Sequence, residues 1–196
     1  MGNLNETPSA NRLHIGIYGK TNSGKSSLIN AVTKQEVSIV ADVAGTTTDP
    51  VYKPMEIHPL GPCVIIDTAG FDDDSELGER RVEKTHLAAE KTDIAVVVLD
   101  IAEVIAAKKA GIPFKKAFKD EAEWSLLFAK KHTPVVFALN KIDEILLSAE
   151  AQEKSSGKLD NAAIEAAKCW VFEENSAVMG KNADNSFEVV AVSALK

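Results

Sequence analysis

The sequence predicts an α/β fold, in which a mostly parallel β-sheet carries helices on both faces and one antiparallel strand at an edge. Short apolar runs alternate with longer segments of helical character, which favours parallel strands joined by right-handed crossovers. The segment Leu60-Gly61-Pro62 has turn chemistry and separates two adjacent strand-like runs, which indicates an antiparallel pair. The chain has 196 residues, 45% of them hydrophobic, which suffices for one domain with a sizeable core.

The elements are predicted in chain order from these patterns. A polar segment, residues 1–11, is expected to form a mobile tail, and a long loop rich in Thr, Asp and Gly covers residues 36–50. The predicted strands are Leu13–Tyr18, Val51–Ile57, Cys63–Ile66, Ile94–Leu99, Pro134–Leu139 and Phe187–Val192. The predicted helices are Ser27–Val32, Arg80–Lys91, one or two within Val104–Lys131 with a break near Gly111-Ile112-Pro113, and Leu159–Glu173. Trp124, Leu127, Phe128 and Lys131 lie at helical spacing and are expected to face the core.

Composition narrows the classes of function. The net charge of −7 gives no indication of a broad nucleic-acid-binding face, so a nucleic-acid partner is not expected. No apolar run approaches the ~20 residues of a membrane span, and the N-terminus lacks a signal-peptide core, so a cytoplasmic protein without a membrane partner is expected. Cys63 and Cys169 have no ligand spacing, so no iron–sulfur cluster is expected on these residues.

The first chemical motif is GKTNSGKS, residues 19–26, which fits the phosphate-binding pattern G-x-x-x-x-G-K-[ST]. A strand precedes it and a helix follows it, which is the context that the motif requires; a chance glycine turn is the alternative. Backbone N–H groups of such a loop surround phosphates, and Lys25 reaches the β- and γ-phosphates while the Ser26 hydroxyl ligates Mg²⁺. The residues expected to contact the nucleotide here are Asn22, Ser23, Gly24, Lys25, Ser26 and Ser27.

Three further residues are candidates for sensing Mg²⁺ and the γ-phosphate. Asp67 ends a strand in the sequence DTAG and is expected to be a second anchor of Mg²⁺. The N–H of Gly70 can approach a γ-phosphate because no side chain obstructs it. Thr47, in the loop GTTTD, is the favoured third metal ligand, and a threonine-rich surface loop is the alternative.

The motif Asn140-Lys141-Ile142-Asp143 follows a buried strand and is expected to read guanine. The Asp143 carboxylate can accept from both N1–H and the exocyclic amine of guanine, whereas adenine offers no such pair of donors. The stem of Lys141 can lie along the base and ribose. Ser193-Ala194-Leu195 follows the last strand and is expected to contact the guanine oxygen through its backbone. A polar helix cap is the alternative for residues 140–143.

Together these motifs resemble the Ras-like P-loop GTPases, and Asn22 with the GTT run resembles their TrmE–Era branch. The resemblance implies GTP hydrolysis, slow and stimulated by K⁺, which Asn22 helps to bind near the phosphates. Phe71 stands where many relatives carry a water-positioning glutamine. In TrmE-like proteins a glutamate further along does this work, and Glu79, twelve residues after Asp67, stands at the matching position.

Within that branch, the runs GTTTDPVYKPMEIHPLGP and VIIDTAGFDDDSELGERRVEKT resemble the HydF family of [FeFe]-hydrogenase maturation GTPases. That resemblance implies a GTP-binding domain over residues 12–196, truncated at its C-terminus, with the hydrogenase and its maturation proteins as partners and a homodimer in the full-length protein. Two alternatives stay open. One is an RNA-linked GTPase of the TrmE/Era kind, for tRNA modification or ribosome assembly, and the other is a nearly inactive nucleotide-binding module that docks a partner.

Overall fold

The computed structural model describes residues 12–34, 51–68, 87–145, 157–179 and 186–194, and the predicted tail and the loop 36–50 lie outside them. The strands are β1 (Leu13–Tyr18), β2 (Val51–Ile57), β3 (Gly61–Asp67), β4 (Ile94–Asp100), β5 (Val135–Asn140) and β6 (Phe187–Ala191). The helices are α1 (Lys25–Lys34), α2 (Ile101–Lys109), α3 (Phe114–Ala117), α4 (Lys119–Lys131) and α5 (Gly157–Met179). Residues 87–90 and 142–145 are also helical.

Within the described residues the strands form one six-stranded sheet in the order β2-β3-β1-β4-β5-β6. Parallel pairs join β1 to β3 and β4, and join β5 to β4 and β6, whereas β2 pairs antiparallel with β3. Pro54 lies in β2, which is an edge strand in the part of the chain that the structure describes, and edge strands tolerate proline because one side needs no ladder hydrogen bond. The predicted sheet, mostly parallel with one antiparallel edge strand, is therefore confirmed.

Hydrophobic side chains cover both faces of this sheet, because successive residues of a strand point to opposite faces. On one face Val97 and Phe137 pack with buried residues of α2, α4 and α5. On the other face the neighbouring residues Val98 and Ala138 join a cluster that includes Ile29 of α1. Each fully buried aliphatic or aromatic side chain contributes about 1.5–3 kcal/mol relative to its exposed state. The ends of the parallel strands are thereby fixed along one edge, where polar residues follow β1, β3, β4 and β5.

The helical region after β4 is more divided than the predicted one or two helices. The helix α2 begins at Ile101 because Asp100 caps it, its Oδ1 accepting from the Ala102 N–H at 2.8 Å. The predicted break is confirmed: Gly111 has a φ of 64°, and Pro113 precedes the one-turn α3. Within α4, Phe128 is buried as predicted, but Lys131 is exposed, so the core-facing prediction is wrong there.

The other predicted ranges need smaller corrections. The helix α1 starts at Lys25, two residues before the predicted start, and β3 starts at Gly61, so the turn lies at residues 58–60. The helix α5 runs six residues beyond Glu173, where Asn175 Nδ2 donates to the Val171 carbonyl at 2.8 Å. Only the end of the predicted helix Arg80–Lys91 lies in the described ranges. No helix in those ranges is both long enough and apolar enough to cross a membrane.

Candidate functional site

The loop from Gly19 to Gly24 joins β1 to α1 and is folded through left-handed backbone positions. The φ angles are 143° at Gly19, 64° at Asn22 and 92° at Gly24. A Cβ atom on Gly24 would lie 2.1 Å from Nδ2 of Asn140, so glycine is required there by a neighbour as well as by the backbone. The loop opens onto the N-terminus of α1, which carries partial positive charge and favours anions.

Lys25 is the buried cation of this loop. Its side chain is 5% exposed, and Nζ donates to the carbonyls of Gly19 at 2.5 Å and Lys20 at 2.7 Å. Ser26 and Ser27, which follow it, are exposed. The Lys25 ammonium is thus held inside the loop that is predicted to bind phosphate. There it can exchange carbonyl oxygens for the oxygens of an anion.

A cavity of about 390 Å³ brings two of the predicted motifs together. Its size lies within the usual range of small-molecule sites. One wall comes from the loop and the start of α1, and the other comes from Lys141. The lining residues are Thr21, Asn22, Gly24, Lys25, Ser26, Ser27 and Lys141.

Asn140 connects three loops through its two side-chain atoms. It is 1% exposed, its Nδ2 donates to the Ser23 carbonyl at 3.1 Å, and its Oδ1 accepts from the Ala194 N–H at 3.2 Å. Asn140 does not line the large cavity, so its place in the structure is to hold the loops together. The predicted phosphate loop and the predicted base loops are therefore fixed relative to each other.

The two carboxylate oxygens of Asp143 differ in their hydrogen bonds to the described residues. Oδ1 accepts from the Ser193 hydroxyl at 2.5 Å. Oδ2 is buried, and among the residues that the structure describes it has no hydrogen-bond partner. A buried carboxylate oxygen is costly unless a donor reaches it. The N1–H and exocyclic amine of guanine are donors of the kind that this oxygen lacks, so the residues present fit that base.

Lys141 is held by an ion pair that the sequence analysis did not foresee. Its backbone has a φ of 66°, and Nζ lies 2.7 Å from Oδ2 of Asp100, the residue whose Oδ1 caps α2. This hydrogen bond raises the pKa of Lys141. An acid between a strand and a helix start is an N-cap signal, so the cap of Asp100 could have been found from sequence; its pairing with Lys141 depends on the β4–β5 register.

Asp67 lies at the end of β3, in register with Ile17 of β1, and so next to the strand that leads into the phosphate loop. Its Oδ2 is 3.0 Å from Nζ of Lys53 on β2, a second partner that sequence reasoning missed. Lys53 is 41% exposed, so water can replace this contact at low cost. The remaining predicted site residues, Thr47, Gly70, Glu79 and Leu195, lie outside the described residues, as does Phe71.

Comparisons with known proteins place this geometry in a family. A model of the 50S ribosome-binding GTPase family matches residues 14–141. GTPase Der of Mycoplasmopsis pulmonis is 54% identical over 65 residues, which cover 33% of this chain and 15% of Der. The tRNA modification GTPase MnmE of Laribacter hongkongensis is 35% identical over 132 residues, covering 67% of this chain and 26% of MnmE. The chain therefore spans about a quarter or less of these relatives.

Solved structures give the same fold. A probable GTP-binding protein engB aligns with a TM-score of 0.53 at 22% identity, covering 92% of this chain and 88% of that one. A GTP-binding protein of Sulfolobus solfataricus, solved with GDP, aligns with a TM-score of 0.50 at 20% identity, covering 93% and 47%. These likenesses confirm the Ras-like P-loop GTPase fold. With the family match over more than half of its residues, the chain belongs to the 50S ribosome-binding GTPase family.

Proposed function

We propose that this chain binds GTP with Mg²⁺, hydrolyses it to GDP and phosphate, and changes conformation between the two nucleotide states. The observation that carries the proposal is the buried Asp143 Oδ2, which has no partner among the described residues. Asp143 lies in the helical turn that follows Asn140, and Asn140 bonds to the phosphate loop. A carboxylate oxygen with this surplus acceptor capacity selects a base with adjacent donors. Guanine has them, and adenine does not.

The phosphate end of the site is assigned to residues 22–27. Their backbone N–H groups and Lys25 bind the phosphates, and Lys25 exchanges its two carbonyl partners for phosphate oxygens. Ser26, Asp67 and Thr47 hold Mg²⁺, which when bound neutralises charge on the β- and γ-phosphates. Asp67 exchanges its contact with Lys53 as it takes this role. Gly70 and Ser193-Ala194-Leu195 contribute backbone contacts to the γ-phosphate and to the base.

Hydrolysis needs a group that orients water, and Phe71 offers no hydrogen bond. We assign this role to Glu79 and assign K⁺ binding to Asn22, whose side chain lies on an exposed left-handed turn of the loop and lines the large cavity. A cation at this place stabilises the charge that develops between the β- and γ-phosphates. The expected activity is slow without K⁺.

Lys25→Ala tests the phosphate assignment. Loss of a buried cation from the loop should remove several kcal/mol of phosphate and transition-state stabilisation, and so lower the hydrolysis rate by roughly 10²-fold or more. Hydrolysis is measured by phosphate release at saturating GTP, with circular dichroism to verify the fold. Lys109→Ala, on an exposed position of α2, is the matched control and should leave the rate unchanged. Normal hydrolysis in folded Lys25→Ala would refute the assignment.

The switch is tested separately from hydrolysis. Hydrogen exchange should slow over residues 36–50 and 71–80 with a non-hydrolysable GTP analogue, and much less with GDP, because only the γ-phosphate distinguishes the two states. Equal exchange in both states, together with no single-turnover hydrolysis, would favour the inactive docking module instead.

For the role of the whole protein we propose RNA-linked work, in tRNA modification or ribosome assembly. Support comes from the family description and from the relatives named above, one of which is a tRNA modification GTPase. Because the chain spans about a quarter or less of them, the RNA contact can lie outside these 196 residues. The test is copurification of tRNA or ribosomal RNA with the tagged protein in its native cell, in GTP and GDP states.

HydF-like hydrogenase maturation is the second candidate, and one observation favours it. Thr48-Asp49-Pro50 follows the paired threonines, where TrmE and Era proteins usually carry arginine. This candidate predicts copurification of hydrogenase maturation proteins and a homodimer of the full-length protein, with no RNA. The same copurification experiment therefore separates the two roles, and neither outcome affects the nucleotide assignment.

A further inference from the structure

A second, much smaller cavity lies between the phosphate loop, the end of β4 and the start of α4. Its volume is about 10 Å³, which is room for a single water molecule. Lys20 and Ser23 of the loop line it together with Glu121 of α4. None of the roles proposed above uses Glu121.

Glu121 is buried where a charged residue is seldom found. It is 1% exposed, and its Oε1 accepts from the backbone N–H of Lys20 at 3.1 Å. Burial raises the pKa of its carboxyl. The other end of Lys20 is held by the same region, since Nζ donates to the Ala117 carbonyl at 2.9 Å and lies 4.9 Å from the centre of the Phe118 ring. The residue that follows Gly19 is therefore anchored at its backbone and at its side chain.

Two polar atoms at this cavity lack partners among the described residues, namely Glu121 Oε2 and Ser23 Oγ. Both atoms are buried, and both residues line the same space. A buried polar group without a hydrogen bond costs about 1–3 kcal/mol, and buried water commonly satisfies such groups when two or more partners are present. One water between them would satisfy both.

We propose that Glu121 is a positioning residue for the phosphate-binding loop, and that one buried water joins its Oε2 to Ser23 Oγ. The Glu121 carboxyl accepts directly from the Lys20 N–H, and through the water it is also hydrogen-bonded to Ser23. The segment between these residues, Thr21 and Asn22, lines the large cavity, so α4 sets the shape in which the loop meets phosphate. The consequence for nucleotide binding depends on the function proposed above; the consequence for the loop does not.

The test compares two substitutions of the full chain in the absence of nucleotide. Glu121→Gln keeps an acceptor for the Lys20 N–H and a polar partner for the water, whereas Glu121→Leu keeps the approximate volume and offers neither. Exchange of the Lys20 amide, followed by NMR, should be about 2- to 10-fold faster in Glu121→Leu and close to wild type in Glu121→Gln, which corresponds to one hydrogen bond. GDP affinity should follow the same order: close to wild type in Glu121→Gln and lower in Glu121→Leu.

Ala122→Gly is the control for a merely structural effect, because it weakens the same helix by about 1 kcal/mol at a buried position that makes none of these contacts. If Glu121→Leu and Ala122→Gly show the same Lys20 amide exchange rate and the same GDP affinity, the positioning role is wrong. If exchange changes as expected but wild-type protein binds no GDP, the proposed function fails and the positioning of the loop stands.

The water is tested by crystallography of the wild type and Ser23→Ala. A density peak within hydrogen-bond distance of Glu121 Oε2 and Ser23 Oγ is expected in the wild type, and it should be weaker or absent in Ser23→Ala. A wild-type map without a peak between the two atoms overturns the bridging water.

Discussion

Asp143→Asn is expected to reverse the base preference of the site. The Ser193 hydroxyl already binds Oδ1, so Oδ2 is the atom left for a base. Guanine offers N1–H and an amine to a carboxylate. If the asparagine keeps the Ser193 contact through its side-chain oxygen, its N–H₂ group faces the N1–H and amine of guanine. Donors then face donors, and both hydrogen bonds are lost. Xanthine carries a carbonyl in place of the amine and accepts from that N–H₂, so it should gain affinity as guanine loses it.

The size of the effect follows from the charge of the lost acceptor. A hydrogen bond to a charged group contributes about 1.5–3 kcal/mol, and two such bonds contribute roughly 3–6 kcal/mol. At about 1.4 kcal/mol per tenfold change, GDP should bind roughly 10²- to 10⁴-fold more weakly. The buried position of Oδ2 favours the larger value, because water does not replace the lost partner.

Equilibrium binding of GDP, xanthosine diphosphate and ADP measures this change. Ser193→Ala is the matched control: it removes the neighbouring hydroxyl but keeps the carboxylate, so affinities should fall by about tenfold or less with the order of bases unchanged. Unaltered GDP binding by Asp143→Asn, or ADP binding as tight as GDP in the wild type, would show that Asp143 does not read the base.

Three other perturbations test the site. Hydrolysis should be faster in K⁺ than in Na⁺ at equal ionic strength, by less than the roughly 10³–10⁵ of an arginine finger, and equal rates in both salts for wild type and Asn22→Ala would contradict this. Lys53→Gln removes the cation from a half-exposed pair with Asp67 that is worth about 1 kcal/mol or less, so half-maximal hydrolysis should need up to about fivefold less Mg²⁺; an unchanged Mg²⁺ titration counts against it. Asp100→Asn keeps the cap of α2 but loses the ion pair with Lys141, so the free energy of unfolding should fall by about 1 kcal/mol or less. Because the pair raises the pKa of Lys141, it stabilises the fold below the ordinary lysine pKa of 10.5 and ceases to do so as the pH rises through the folded-state pKa. The difference in unfolding free energy between the wild type and Asp100→Asn should therefore disappear in urea titrations at strongly alkaline pH. A difference that is independent of pH would be evidence against the pair.

The sequence was sufficient for the sheet because its strands are continuous apolar runs between polar motifs. Buried parallel strands such as Ile94–Asp100 need no side-chain alternation, and their length and composition identify them. The motifs at 19–26 and 140–143 were predictable for a related reason, since each follows a strand and so falls on the same edge of the sheet. The predicted cavity residues of these two motifs meet in the structure.

Other features depend on contacts between distant segments and could not be predicted. Helical periodicity assigns a charged residue to the surface, whereas Glu121 is buried because the Lys20 N–H lies opposite it. The end of α5 contains Asn175 and Ser176, which are weak helix formers. In the helix both side chains bond to carbonyls one turn earlier, and Glu174 accepts from the Phe114 N–H, a contact between distant segments that no local pattern predicts.

The close approach of Gly24 and Asn140 links two motifs that are 116 residues apart in the sequence. A larger residue at position 24 would meet the side chain of Asn140 and would also strain a backbone with a φ of 92°, whereas a smaller residue at position 140 would detach the loop that contains Ser23. Neither motif can therefore be exchanged alone for that of a distant relative. An engineer who wishes to graft a new base specificity onto this scaffold would have to transfer both segments together and keep glycine at position 24.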